Sequence, residues 1–171
     1  MLVLTTPLGV IRIALLDEQA PVTTGHVRRL LADHDLGPGS FYRVQRQEHV
    51  VPGREFEVVQ GGWPALAGTL PAVEHEASTP HRLGSVSLAR LEPGTASSEM
   101  FVCLSEHAPA LDPGAAPPMD GHGYAVFGQV VEGLDVARAI HTLPTTDQAP
   151  APMLRGQLLR SPVSFDAGIE P

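Results

Sequence analysis

Lysine is missing from this chain: all 11 basic residues among its 171 are arginine. That excludes a Schiff-base lysine, a phosphate-loop lysine and any lysine general base. Cysteine is nearly missing too. Cys103 stands alone, so there is no internal disulfide framework and the chain suits a reducing compartment. No apolar run approaches the length of a membrane-crossing helix, and no basic-then-apolar leader opens the chain. The expectation is therefore a cytoplasmic protein with no membrane role. The net charge of −8 has the wrong sign for a nucleic-acid backbone binder. Charged residues make up only 18% against 43% hydrophobic, which allows a buried core and argues against disorder.

Turn formers are abundant. Glycine and proline contribute 17 residues each, so short strands joined by turns are expected rather than long helices. The length suits one domain spanning 1–171. Leu2–Thr6 and Val10–Leu16, joined by Pro7-Leu8-Gly9, read as a hairpin. Pro21 opens a helix carrying Val22, Val27, Leu30 and Leu31, since proline is tolerated in a first turn whose donors have no helical partner. Further strands are expected at 41–44, at 56–60 with a stop at Gly61-Gly62, at 84–89, 99–104 and 124–131, and at 153–165 with a break at Pro162. Gln45–Glu55 reads as a surface loop and 144–152 as a linker. A second helix over 133–143 carries Leu134, Ala137 and Ile140 on one stripe. Many short strands with two helices, and few long crossovers, point to a closed or nearly closed antiparallel barrel.

Several separated blocks carry more than pattern. They are Ala20-Pro21-Val22-Thr23, Phe41-Tyr42-Arg43-Val44, Val58-Val59-Gln60-Gly61-Gly62, Gly84 to Arg90, Ser98-Glu99-Met100-Phe101-Val102, Leu111-Asp112, Val126-Phe127-Gly128 and Val131-Glu132-Gly133. In this order and spacing the chain resembles the cyclophilin family of peptidyl-prolyl cis-trans isomerases, from about Thr6 to Ile140. The resemblance implies a mainly β fold, a closed eight-stranded antiparallel barrel capped by two α-helices, with a groove on its outer face. It implies that Arg43 is the catalytic arginine and that Gln60 orients the substrate backbone. Phe101, Val58 and Leu111 would line the pocket for the proline ring, and Ala89 and Arg90 would border the peptide on its N-terminal side. Tyr124 stands where most members carry histidine, and Glu99 replaces a common glutamine; both are candidate substrate contacts. The implied partners are proline-containing polypeptides, met by a monomer with no cofactor and no metal.

The chemistry asks for little else. A peptide bond resists rotation by roughly 18–20 kcal/mol because resonance is lost in the twisted state. For a bond preceding proline, cis and trans are nearly level, yet exchange is slow. No bond is made or broken, so a protein need only favour the twisted amide over the planar one. A guanidinium that donates to the imide nitrogen does so, because that lone pair is free only when conjugation breaks.

Departures from the family pattern mark a divergent, bacterial-type member. Glu57 stands where a pocket phenylalanine is usual, and Phe56, one place early, is expected on the opposite face unless a bulge intervenes. Ala110 replaces a common tryptophan, which implies weak binding of cyclosporin-like inhibitors. The stretch between Arg43 and Gln60 is longer than in compact members. These features keep open an alternative, a proline-peptide binding module with little turnover. Gln60 could instead serve the following turn, and Tyr124 could equally be a barrel residue with a bonded hydroxyl. Glu74, His75, Glu76 and His81 offer mixed metal ligands without a metal-site spacing. Cys103, in an apolar strand, reads as an inert buried thiol. Ser97 and Ser98 lack a histidine at a hydrolase spacing.

Overall fold

The computed structural model describes residues 1–33, 36–66, 71–77, 79–117 and 119–170. In chain order the elements are β1 (Leu2–Thr6), β2 (Gly9–Leu15), α1 (Pro21–Asp33), β3 (Gly39–Gln45), β4 (Val58–Gly62), β5 (Ser85–Leu88), β6 (Glu99–Cys103), β7 (Val126–Glu132), α2 (Leu134–His141), β8 (Thr145–Thr146) and β9 (Leu158–Ile169). Neighbouring strands run β1-β2-β7-β5-β6-β4-β3-β9, and β9 pairs back onto β1. Every pairing is antiparallel. The eight strands therefore close on themselves, which removes the exposed edges an open sheet would leave. The two-residue β8 is an outer addition to β9.

Alternation of side chains sets the inside of the barrel. Val44, Val59, Val102 and Val86 face one another across four adjacent strands, and each is fully buried. Burying a valine stabilises by roughly 1.5–3 kcal/mol, so this row alone favours the observed register over a one-residue slip, which would turn it to solvent. Val27 and Leu30 of α1 line a small gap with Leu2, Leu88 and Met100 and close one end. At the other end, α2 sets Val136 so close to Gly9 that a side chain at Gly9 would collide with it.

Several boundaries differ from the sequence expectation, those of β4 and β9 for identifiable reasons. β4 begins at Val58 and continues through Gly61 and Gly62 instead of stopping at them. A Cβ at Gly61 would lie 2.6 Å from the Ser40 carbonyl oxygen and 2.7 Å from the Phe41 ring, so the ladder continues because these residues are glycine. β9 starts at Leu158, not Met153, and runs through Pro162. Its pairing with β3 jumps from Val163, opposite Phe41, to Leu158, opposite Arg43, so the proline lies in a bulge where no ladder donor is required. The helical stripes also shift: Val22 is exposed while Thr23 and Thr24 are buried, and Val136 joins Ala137 and Ile140 under α2 in place of Leu134.

Glu76 has a structural task. Its carboxylate accepts from the Val22 and Thr23 amides at 3.0 and 2.8 Å and from the Thr23 hydroxyl at 2.8 Å. A distant residue thus caps α1, where amide donors and the helix dipole favour an anion. His75 is bonded to the His122 carbonyl at 2.8 Å.

Candidate active site

Strand register brings the expected residues together. Arg43 pairs with Gln60, Gln60 with Phe101, and Phe101 with Ser87, one row across β3, β4, β6 and β5. Paired residues share a face, so Arg43 and Phe101 stand on the same outer side of the barrel. A register shift between Phe41 and Arg43 lets Phe41 and Val44 both point inward, and puts Tyr42 and Arg43 both on the outer face.

The guanidinium of Arg43 is held from three directions. Gln157 Oε1 accepts from Nε at 3.0 Å and from Nη2 at 2.8 Å; Gln60 Oε1 accepts from Nη1 at 2.8 Å. Gln45 Oε1 lies 3.4 Å from Nη2. Four of the five N–H groups of an arginine are thereby occupied, and one on Nη1 remains. All these acceptors are neutral amides. Burial lowers the affinity of Arg43 for its proton, and the positive charge of Arg54 works in the same direction. Arginine stays charged regardless.

From Arg43 a one-way relay of donors runs along the groove. Arg43 donates to Gln60, Gln60 Nε2 donates to the Tyr42 hydroxyl at 2.8 Å, and Tyr42 donates to Glu99 Oε1 at 2.5 Å. The relay starts on a cation and ends on a carboxylate, so each bond polarises the next. Burial first, then Glu99, pushes the Tyr42 hydroxyl well above its usual range and keeps it a donor. Gln60 is thus committed on both amide atoms to neighbouring side chains, not to a turn.

Beside this polar row lies an apolar cluster separate from the barrel core: Val58, Phe101, Cys103, Ala108 and Leu111, with Phe56, Ala89 and Tyr124 packed against it. Phe56 corrects the sequence expectation. It lies ahead of the β4 ladder but keeps the parity of Val58 and Gln60, and it joins the pocket face. That shared parity is the signal the sequence contained. Cys103 is fully buried and its thiol is pushed up to about 11 by that burial, so it adds apolar wall and no nucleophile. Tyr124 meets Phe101 edge-on at 5.3 Å, and its amide donates to the Leu111 carbonyl at 2.9 Å.

Arg90 does not extend its side chain along the groove. Its guanidinium grips both oxygens of Asp120 at 2.6 and 3.1 Å, lies 4.6 Å from the Tyr124 ring centroid, and is only 2% exposed. That bond holds the Asp120 carboxyl down at about 2. What Arg90 leaves accessible is main chain.

The pocket floor rests on a buried polar unit that sequence spacing did not reveal. His81 is 1% exposed and its ring stacks under Phe101 at 5.9 Å. Nδ1 lies 2.7 Å from Asp112 Oδ1, and Nε2 lies 2.8 Å from Ser87 Oγ. A neutral ring satisfies both contacts by donating to Asp112 and accepting from Ser87. The trio has the order of a hydrolase triad, but Ser87 is fully buried beneath the sheet of pocket residues and cannot reach a substrate carbonyl.

Known proteins resemble this chain in sequence and in fold. Residues 1–157 match the family model described as cyclophilin type peptidyl-prolyl cis-trans isomerase/CLD. Peptidyl-prolyl cis-trans isomerase A of Dickeya dadantii is 35% identical over 153 residues, covering 86% of this chain and 74% of that protein. An isomerase of Streptomyces antibioticus is 30% identical over 148 residues, 83% of each chain. Among solved structures, a Cryptosporidium parvum cyclophilin crystallised in the presence of the dipeptide ala-pro superposes with a TM-score of 0.68 at 19% identity, covering 99% of this chain and 98% of that one.

Proposed function

The chain belongs to the cyclophilin-type peptidyl-prolyl cis-trans isomerase family, and we propose that Arg43 and Gln60 perform its catalysis on the outer barrel face. It is an isomerase acting on proline-containing peptides; the binding-only alternative is not favoured. The observation that carries the site assignment is the row Arg43–Gln60–Phe101, where a braced cation stands beside an apolar pocket.

In this reading the proline ring enters the pocket of Phe101, Val58 and Leu111, with Phe56 and Tyr124 as its sides. Ala89 and the main chain at Arg90 border the residues before proline. Gln60 Nε2 keeps one N–H beyond its bond to Tyr42 for the substrate backbone. The remaining Nη1 N–H of Arg43 meets the imide nitrogen as the amide twists, when that nitrogen first becomes an acceptor. Such a bond exists in the twisted state and not in the planar one, so it accelerates rotation in both directions. Because Gln157, Gln60 and Gln45 already orient the guanidinium, little reorganisation accompanies the step. Glu99 acts through Tyr42 and tunes the relay.

The wider role in this proposal is assistance to protein folding by a cytoplasmic monomer, with 1–171 as one domain and weak affinity for cyclosporin-like inhibitors. No helix among the described residues is long and apolar enough to cross a membrane. The direct test is cis-trans exchange on a proline tetrapeptide for wild type and Arg43→Ala. A rate well above the thermal one, reduced about 100-fold or more in the variant, supports the assignment, since one transition-state donor is worth that much. Equal rates in the two proteins overturn it.

A further inference from the structure

The connection between β3 and β4 brings a second arginine near the first. Arg54 lies near enough to Arg43 for its charge to act on it. A turn sets its place: the Arg54 amide donates to the Val51 carbonyl at 2.9 Å, and the Phe56 amide donates to the Arg54 carbonyl at 3.0 Å. Phe56, so tethered, packs against the pocket cluster. Arg54 and the pocket wall are therefore delivered by one short segment.

Among the described residues Arg54 Nε is the one buried side-chain nitrogen or oxygen without a hydrogen-bond partner. None of their ion pairs includes Arg54 or Arg43. The carboxylates of the same connection are engaged elsewhere: Glu48 with Arg46, Glu55 with the Gly53 amide, and Glu57 with the Gln47 amide. Two neighbouring cations, neither in a direct ion pair and one with an unsatisfied buried N–H, form an arrangement that an incoming anion would relieve.

We propose that Arg54 forms a subsite for a carboxylate on the substrate, carried by one of the two residues that follow the proline. The direction comes from the layout of the groove. Ala89 lies at the Glu99 end of β6, its amide donating to the Glu99 carbonyl, whereas Phe56 and Arg54 precede Val58, which pairs with Cys103 at the other end. With the N-terminal side of the peptide at Ala89, the residues after proline run toward Arg54. The proposal rests on the substrate groove assigned above and adds a chemical preference to it.

The test uses tetrapeptides that differ only in Glu or Gln, placed before the proline, one residue after it, or two residues after it. NMR titration reads the Kd and exchange spectroscopy reads the isomerisation rate in the same samples of the full chain. For wild type, Glu after proline should bind about tenfold more tightly than Gln at low salt, and the ratio should shrink as salt is raised to about 0.5 M. In Arg54→Gln the Glu/Gln ratio should fall to about one, and Arg54→Lys should restore part of it, because lysine keeps the charge without the planar fork. Arg43→Ala should lose exchange yet keep the Glu preference in Kd, which separates this subsite from the catalytic assignment. No Glu preference in wild type, a preference confined to the residue before proline, or a preference that survives Arg54→Gln would overturn the proposal.

Discussion

Gln157 is the side chain whose loss should tell most about how Arg43, the proposed catalytic arginine, works. Its Oε1 accepts two of the Arg43 donors, at 3.0 and 2.8 Å, while its Nε2 donates to the Met153 carbonyl at 2.7 Å. Gln157→Ala would leave the guanidinium braced only by Gln60 and, weakly, Gln45. A hydrogen bond to a charged group contributes about 1.5–3 kcal/mol. If a loss of that size falls on the twisted state, the rate drops about 10- to 150-fold, since about 1.4 kcal/mol is a factor of ten. The loss should appear in kcat and not in KM, because the free Nη1 N–H bonds the imide nitrogen only as the amide twists. Gln157→Glu supplies the control that a purely structural role would not move. It keeps the acceptor toward Arg43 and loses the Nε2 donor to the Met153 carbonyl, so Tm should fall by no more than one lost hydrogen bond is worth, while its negative charge pairs with Arg43 and should still slow kcat. NMR exchange on a proline tetrapeptide, with Tm measured alongside, reads both variants. Wild-type kcat in Gln157→Ala, or wild-type kcat in Gln157→Glu, would refute the idea that Gln157 positions Arg43.

Three further expectations follow from particular contacts. Phe56→Ala should raise KM for proline tetrapeptides several-fold while leaving Tm nearly unchanged, because the half-buried ring packs on the outer pocket and not in the barrel; an unchanged KM would remove Phe56 from the substrate site. Gly61→Ala should destabilise the fold by about 1–3 kcal/mol in urea unfolding, the usual cost of overpacking, as its Cβ would lie 2.7 Å from the Phe41 ring; wild-type stability would contradict the packing. Burial lowers His81 below its ordinary 6.5, partly opposed by Asp112, so the unfolded chain takes up that proton more readily than the native one. This contribution to stability is complete above about pH 6.5 and is lost as the pH falls from there through the lowered native value. Tm measured between about pH 8 and 5 should decline more steeply in wild type than in His81→Asn; equal slopes would show that His81 does not hold its neutral form.

Much of this protein is legible along the chain, because the relevant forces there are local. The apolar run at 2–4, the alternation over 10–16, the proline that opens α1 and the glycine-rich joints specify the strands and helices within a few residues. The ordered blocks around Arg43, Gln60 and Phe101 specify the family, and with it the groove. The errors cluster where a contact from afar decides the local outcome. Gly61 and Gly62 look like a strand stop, yet Phe41 needs the space at Gly61 and the Ser98–Glu99 backbone needs the space at Gly62. Pro162 looks like a break, and a bulge opposite β3 absorbs it. Phe56 looks displaced until the late start of β4 returns it to the pocket face.

The site shows the same division. Residue types and blocks singled out the arginine, glutamine and aromatic ring that strand register places in one row. Only the closed barrel decided what holds them. Gln157 reaches Arg43 across 114 positions, and Asp112 reaches His81 across 31. Glu76 caps a helix that begins 55 residues earlier, at Pro21. A side chain's hydrogen-bond capacity is written in its identity, but its partner is set by which strands become neighbours, and that follows from burying one apolar face everywhere at once.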